Sequence, residues 1–235
     1  MTAATETSFA DELLAISRPY PIEDSPFVRD VERGVCPRET IRDYALLIMA
    51  AGTAFPNVLA SILAICDDRD VRDVILGNLL EEEGVVAYEP GRGVTRNDER
   101  RHGRIAERFA RAAGAADAEI AAARVSRPRW FEQAMREGNW LGPFTYFSVG
   151  YEANVPRTFR LLAAPFERHY GFDRASLEFL YEHMEADVRH GEESAALIGR
   201  TARTDVQRRQ AREGARRGGR AWWEMHRRFA PKPAG

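Results

Sequence analysis

The chain has 235 residues, 34 of them basic and 36 acidic, and is 44% hydrophobic. At ~100–200 residues per domain that is one domain, with enough apolar material to bury a core without disulfide support. A net charge of −2 excludes a general nucleic-acid binder, and two cysteines exclude a disulfide framework or a cysteine-built zinc site.

Glycine and proline fall at the ends of apolar stretches, so the expected architecture is all-α: a single bundle-like domain of about seven helices, without strands, over residues 1–235. Residues 1–24 form an extension whose short helix is capped by Ser8 and runs through Ile16. Pro37-Arg38-Glu39-Thr40 opens a long apolar helix to about Cys66, with Pro56 expected to kink it. Asp67-Asp68 leads into a third helix to about Ala87, and Tyr88–Gly93 reads as a loop. Asn97 or Asp98 caps a fourth helix ending at Gly114. Trp140–Tyr170 is long and strongly apolar, with a kink expected at Pro156. Asp173–Gly199 and Thr204–Phe229 complete the set, followed by a flexible tail at 230–235. No apolar run is read as approaching the ~20 residues of a membrane span, and Met1–Phe9 lacks a signal pattern, so no membrane partner and a cytoplasmic location are expected. The arginines between Arg200 and Arg228 face only Asp205, Glu213 and Glu224. They read as a solvated surface opposite Trp222, Trp223 and Phe229.

The chemistry concentrates in Phe179–His190. At ~100° per residue His183, Asp187 and His190 (i, i+4, i+7) lie within about 60° of one another on a helix. Leu177, Leu180, Tyr181, Met184, Val188, Ala195 and Ile198 form its apolar arc. Glu178, Glu182, Glu185, Arg189, Glu192 and Glu193 form the solvent arc. The histidine–aspartate stripe sits at the apolar edge. Inward imidazoles and carboxylates need partners, either a metal ion or a buried hydrogen-bond network. Glu152 follows an uncharged run from Trp140 to Tyr151, so it enters a buried helix as a lone carboxylate needing a cation, a metal or an arginine such as Arg157 or Arg160. In Glu81-Glu82-Glu83 helical spacing turns Glu82 toward Val71, Ile75 and Leu79, with Glu81 on the flank. His102 lines up with Ile105, Ala106 and Phe109, and Glu99 one turn earlier makes a Glu-x-x-His pair matching Asp187-x-x-His190. The candidate metal ligands are therefore Glu82 (or Glu99), His102, Glu152, His183, Asp187 and His190. This mixed nitrogen and oxygen set suits iron or manganese.

Asn78–Gly84, His102 before its amphipathic helix, Tyr151-Glu152 and His183-x3-Asp187-x2-His190 resemble the haem-oxygenase-like dimetal oxidases, relatives of the TenA and PqqC helical proteins. The resemblance spans about Ser25 to Trp223 and departs in a longer gap between Glu82 and His102. It implies a haem-oxygenase-like bundle, two Fe(II) ions per chain (Mn as an alternative), O2 as co-substrate, and oxidation of an amino acid or amino-acid-derived molecule in specialised metabolism by N-oxygenation or by C–C or C–N cleavage, including nitrile formation. It further implies that Glu82, His102 and Glu152 hold one iron and His183, Asp187 and His190 the other, with a homodimer as the usual assembly. Phe144, Phe147, Tyr151 and Phe159 are candidate pocket walls. One branch of that family makes p-aminobenzoate from its own tyrosine and an internal lysine, and the sole lysine here is Lys232. A metal-free TenA- or PqqC-like enzyme or small-molecule binder on the same fold is the alternative.

Overall fold

The computed structural model describes residues 8–229. Ser8 accepts a hydrogen bond from the Asp11 amide and starts α1 (Phe9–Ser17), as expected. Next come α2 (Pro26–Glu32), with proline in its first turn, and the long α3 (Arg38–Ile65) with Pro56 inside it. Asp68 caps α4 (Arg69–Glu82). A hairpin of β1 (Val85–Glu89) and β2 (Gly93–Arg96) precedes a 3₁₀ turn at Asp98–Arg100 and α5 (His102–Ala112). Then follow α6 (Asp117–Ala122), α7 (Arg129–Arg136) and α8 (Leu141–Thr145). The chain continues through a π segment at Tyr146–Tyr151 and a 3₁₀ turn at Glu152–Asn154 into α9 (Val155–Tyr170). The last helices are α10 (Glu178–Thr201) and α11 (Asp205–Arg227), the latter opened by a Thr204–Gln207 capping box.

The all-α class stands, with eleven α-helices among the described residues instead of about seven. The short α2, α6 and α7 went unread because each spans about two turns or fewer, too little for periodicity to register. A strand pair also exists where none was expected. Val-Val-Ala-Tyr and Val-Thr flank the turn formers Pro90, Gly91 and Gly93, and Tyr88 pairs with Val94 across an antiparallel ladder. The uncharged run from Ala45 to Cys66 is also longer than the sequence reading recognised. Its helix, α3, is by length and composition long enough to cross a membrane. Here it carries Ile41, Tyr44, Ile48, Leu59 and Ile62 into the core.

Two apolar clusters fill the bundle. One gathers Phe27, Tyr44, Phe109, Phe159, Phe166 and Phe179; the other gathers Ile62, Ile75, Phe131, Phe144, Val149 and Ile198. α10 gives Phe179 and Leu180 to the first and Leu197 and Ile198 to the second, so His183, Asp187 and His190 fall on the turns that bridge them. Glu152 holds the same position on its own stretch, between Val149 of the second cluster and Val155 of the first. The polar residues thus occupy the seam between two cores. α11 buries Ala211, Gly214, Ala215, Gly218, Gly219 and Trp222 and turns its arginines outward, where Arg212 pairs with Glu12 and Arg216 and Arg217 pair with Glu213. The tail at 230–235 lies outside the described residues.

Candidate metal centre

α4, expected from the sequence to run to about Ala87, ends at Glu82, because Gly84 adopts φ +63°, where a side chain would be strained. A Cβ at Gly84 would also stand 2.5 Å from the Asn97 carbonyl oxygen. The Asn97 amide donates to the Gly84 carbonyl at 2.8 Å, closing the base of the hairpin. The last residue of α4 and the first of α5 are thereby brought together: Glu82 Oε1 lies 2.8 Å from His102 Nδ1. His183 joins them from α10, its ring 4.7 Å from that of His102. One potential ligand atom from each of Glu82, His102 and His183 lies within 4.8 Å of the other two. His183 Nδ1 donates to the Phe179 carbonyl at 2.8 Å, which leaves Nε2 as the ligand atom and fixes the ring as carbonyls commonly fix metal-bound histidines.

The second group forms around Glu152. The π segment before it adds a residue to the turn and releases carbonyls from the helical ladder. The Asn154 side-chain Nδ2 donates to the Gly150 carbonyl at 2.8 Å, and the Ser148 hydroxyl donates to the Phe144 carbonyl at 2.8 Å. α10 approaches this stretch at Gly191, where a Cβ would come within 2.9 Å of Ala153. That contact sets Glu152 beside Asp187 and His190. His190 Nδ1 lies 3.3 Å from Asp187 Oδ1, and its Nε2 lies 3.6 Å from Glu81 Oε2. Neither candidate arginine meets Glu152: Arg157 pairs with Glu23, and Arg160 donates to the Met184 carbonyl.

The charges register this crowding. Burial drives the Glu152 carboxyl well above the ordinary carboxylate range, Asp187 reinforces the shift, and His190 opposes it. His190 is pushed up to about 10 by Asp187 and Glu81, against its burial. Glu81 is held low, chiefly by His190. Burial presses His102 toward neutrality, yet Glu82, Glu182 and Glu81 together raise it.

Four buried atoms of the six candidate ligands nevertheless have no hydrogen bond among the described residues: Glu82 Oε2, His102 Nδ1, Glu152 Oε2 and Asp187 Oδ2. The 2.8 Å approach of His102 to Glu82 is thus close but off-line, as expected of two donors aimed at a common third partner. Carboxylates and imidazoles left unsatisfied at the seam of two apolar cores fit a divalent cation with oxygen and nitrogen preference. The donor set divides differently from the division the resemblance implies. His183 stands with Glu82 and His102, while Glu152 stands with Asp187 and His190.

Glu99 stays out. Its side chain is 72% exposed and pairs with Arg108 at 3.4 Å, because the residues before His102 form a 3₁₀ turn and not the start of a regular helix. Two acidic residues join the site against expectation. Glu81 contacts His190, and Glu182 Oε2 comes within 3.9 Å of His102 Nε2 instead of standing with the solvent arc. Neither was visible from one helical wheel, since each meets a partner on a different helix. Phe144 and Phe159 are core residues, each 1% exposed, and Tyr151 packs on Tyr146 and Trp222. The cavity of about 600 Å³ that reaches His102 has other walls: Val85 and Val86 of β1, Arg100, and Glu182, Glu185 and Arg189 of α10. Cys36 and Cys66 are buried, and desolvation raises both thiols, Cys36 to about 12, so neither serves as a ready nucleophile.

The sequence profile described as "Iron-containing redox enzyme", of the haem-oxygenase-like type, matches residues 42–223, which include all six candidate ligands. The chain belongs to this family. Membership makes it an oxidoreductase and assigns iron as its metal. The chain is 28% identical over 203 residues to 4-aminobenzoate synthase of Chlamydia muridarum, spanning 84% of this chain and 80% of that protein. Similarity to 4-aminobenzoate synthase of Chlamydia trachomatis serovar D is also 28%, over 85% and 83%. Among solved structures, a TenA homologue from Pseudomonas syringae pv. tomato superposes with a TM-score of 0.72 at 12% identity, covering 97% of this chain and 95% of that one. A domain with a haem-oxygenase-like fold from Shewanella denitrificans gives 0.63 at 14% identity, over 94% and 86%. The fold is haem-oxygenase-like, as the sequence resemblance implied.

Proposed function

We propose that this iron-containing redox enzyme is a non-haem di-iron oxygenase or oxidase that uses O2 to oxidise an amino acid or amino-acid-derived small molecule. The observation that supports it is the set of six inward donors from α4, α5, α9's approach segment and α10, four of whose atoms have no hydrogen bond. Glu82, His102 and His183 would hold one ion and Glu152, Asp187 and His190 the other, with manganese able to use the same donors. Bound iron supplies the one-electron steps by which O2 reacts with closed-shell organic molecules.

The chain's own residues do the remaining work. The Phe179 carbonyl orients His183, and Glu81 orients His190 from the outside. Phe159 and Phe179 pack on the His183 ring, with centroids 6.4 and 4.0 Å away, and keep that side free of water. In the metal-free protein burial raises the Glu152 carboxyl and Asp187 and Glu81 raise His190 to about 10, so protons compete with metal for both groups.

The chlamydial relatives are 4-aminobenzoate synthases. A route that draws nitrogen from an internal lysine has a single candidate, Lys232, the sole lysine, which falls outside the described residues. That favours an exogenous substrate, and N-oxygenation or oxidative C–C or C–N cleavage is the proposed chemistry. The test is anaerobic Fe(II) loading, removal of excess metal, and measurement of iron per chain and of O2 consumed. Two irons per chain and O2 uptake coupled to an added amino acid are expected. A chain that retains no iron would overturn the reading and leave a metal-free enzyme or binder on this fold.

A further inference from the structure

Four oxidisable aromatic rings stand in one file across the bundle. Trp222 lies 5.4 Å from Tyr151, Tyr151 lies 5.2 Å from Tyr146, and Tyr146 lies 4.9 Å from Trp130, centroid to centroid. The inner end meets the candidate metal centre through one ring, since Phe159 is 6.4 Å from His183 and 6.1 Å from Trp222. Trp222 and Tyr146 are buried, whereas Trp130, at the outer end, is half-buried. Most of the largest fully buried side chains elsewhere are phenylalanines, whose rings hold their electrons too tightly to be oxidised in turn. Positive charge gathers at the outer end. The Arg217 guanidinium lies 5.4 Å from the Trp130 centroid, and the exposed Arg127 and Arg129 come just before it in the chain. That setting draws negatively charged molecules to Trp130.

We propose that Trp222, Tyr151, Tyr146 and Trp130 form a relay that discharges the oxidised metal centre to the surface when no substrate consumes its oxidising power. The last electron comes from an anionic one-electron reductant at Trp130. The inference rests on the proposed oxidase reading and adds a protective function to it. Trp222 gives one electron to the oxidised iron across Phe159 and is refilled by Tyr151. Tyr146 then refills Tyr151, Trp130 refills Tyr146, and the reductant refills Trp130. Each tyrosine passes its phenol proton to water as it is oxidised and takes one back as it is reduced. The iron has then gained one electron, the reductant has lost one, and the four residues are unchanged. Burial raises the Tyr146 and Tyr151 phenols, so both are protonated at rest and yield electrons to strong oxidants alone. The relay therefore serves the centre as oxidised by O2 and not the routine reduction of ferric iron.

The test loads the full chain with Fe(II) anaerobically, removes excess metal, and admits O2 without substrate, with catalase present and with or without ascorbate. Retained iron and O2 uptake are measured, and peptide mass spectrometry locates oxidised residues. Oxygenated Trp130 is expected, and ascorbate should suppress it. Tyr151→Phe and Tyr146→Phe each keep the ring but remove the group that can be oxidised, so each should abolish oxidation at Trp130. Trp223, also half-buried but outside the file, should be no more modified than in the metal-free chain. Circular dichroism and iron content verify both variants; should Tyr151→Phe, beside Glu152, lose iron, Tyr146→Phe decides. The inference is overturned if oxidation follows exposure alone, with Trp223 and the 65% exposed Tyr88 modified as much as Trp130. It is overturned equally if Trp130 is not oxidised, or if its oxidation is undiminished in the iron-retaining variants. Any of these results, with iron retained and O2 consumed, leaves the oxidase reading standing. A natural chain that holds no iron or consumes no O2 overturns both.

Discussion

Two polar networks are buried in this bundle, and they are built on opposite principles. Across Phe159 from His183, Tyr44 donates to His226 Nε2 at 3.2 Å, and His226 Nδ1 donates to the Trp222 carbonyl at 2.8 Å. Trp222 Nε1 donates to the Thr158 hydroxyl at 2.8 Å, and Thr158 donates to the Asn154 carbonyl at 2.9 Å. Every group there is matched, no charge is needed, and burial pushes His226 down to about 4. At the seam, His190 is pushed up to about 10 and four carboxylate and imidazole atoms have no hydrogen bond. The same residue type is neutral in one network and cationic in the other. A closed network braces the fold, whereas an open one is shaped around something the chain does not itself contain.

Metal loading separates the two most sharply. Glu152→Ala or His190→Ala should abolish iron retention, a larger loss than the about 10- to 100-fold that outer contacts typically cost, while His226→Ala should keep the metal. Iron analysis per chain decides this, and retention in both ligand variants would erase the distinction.

Stability of the metal-free protein should move the other way. His226→Ala leaves the buried Tyr44 hydroxyl unmatched and opens a cavity, so denaturant unfolding should show a loss of about 2–4 kcal/mol. Glu152→Gln removes a crowded carboxyl and should be neutral or stabilising by about 1–2 kcal/mol.

Acid sharpens the comparison further. His226 titrates at about 4 when folded, against about 6.5 in the free side chain, so the unfolded chain takes up its proton first as pH falls. Its contribution is complete above pH ~6.5 and is lost on descent through about pH 4, by about 2 kcal/mol at pH 5 and about 3 kcal/mol in full. Unfolding curves at pH 7 and 5 should show this slope in the natural chain and lack it in His226→Leu. The smallest effect expected is that of Glu81→Gln, which removes an outer contact to His190 and should weaken iron binding about tenfold in a metal titration.

Much of the open network was legible in the sequence, because one helix carries three of its members at i, i+4 and i+7 and the others interrupt apolar stripes. Glu81 and Glu182 were not, since their roles depend on where Gly84 stops α4 and on which neighbour α10 meets there. The π segment was hidden for a related reason: Trp140–Tyr151 has no charge whose phase could reveal a wider turn. The closed network was invisible altogether. His226 sits on a helix dominated by arginine, and its partner Tyr44 is 182 positions away. The hairpin did leave a signal, Pro90-Gly91-Arg92-Gly93 between short valine-rich runs, which fell below the length at which alternation can be distinguished from a loop.

The base of that hairpin has a practical consequence for redesign. Glu82 precedes it and His102 follows it, yet the two are held together by the Gly84–Asn97 hydrogen bond at its root and not by the ribbon beyond. The tip, with Tyr88 65% exposed, can therefore be exchanged like a cartridge: strands of other lengths and sequences grafted between Val85 and Arg96 would reshape the mouth while the coordinating ends stay in register. A library confined to this ribbon is the shortest route to altered substrate scope in this scaffold.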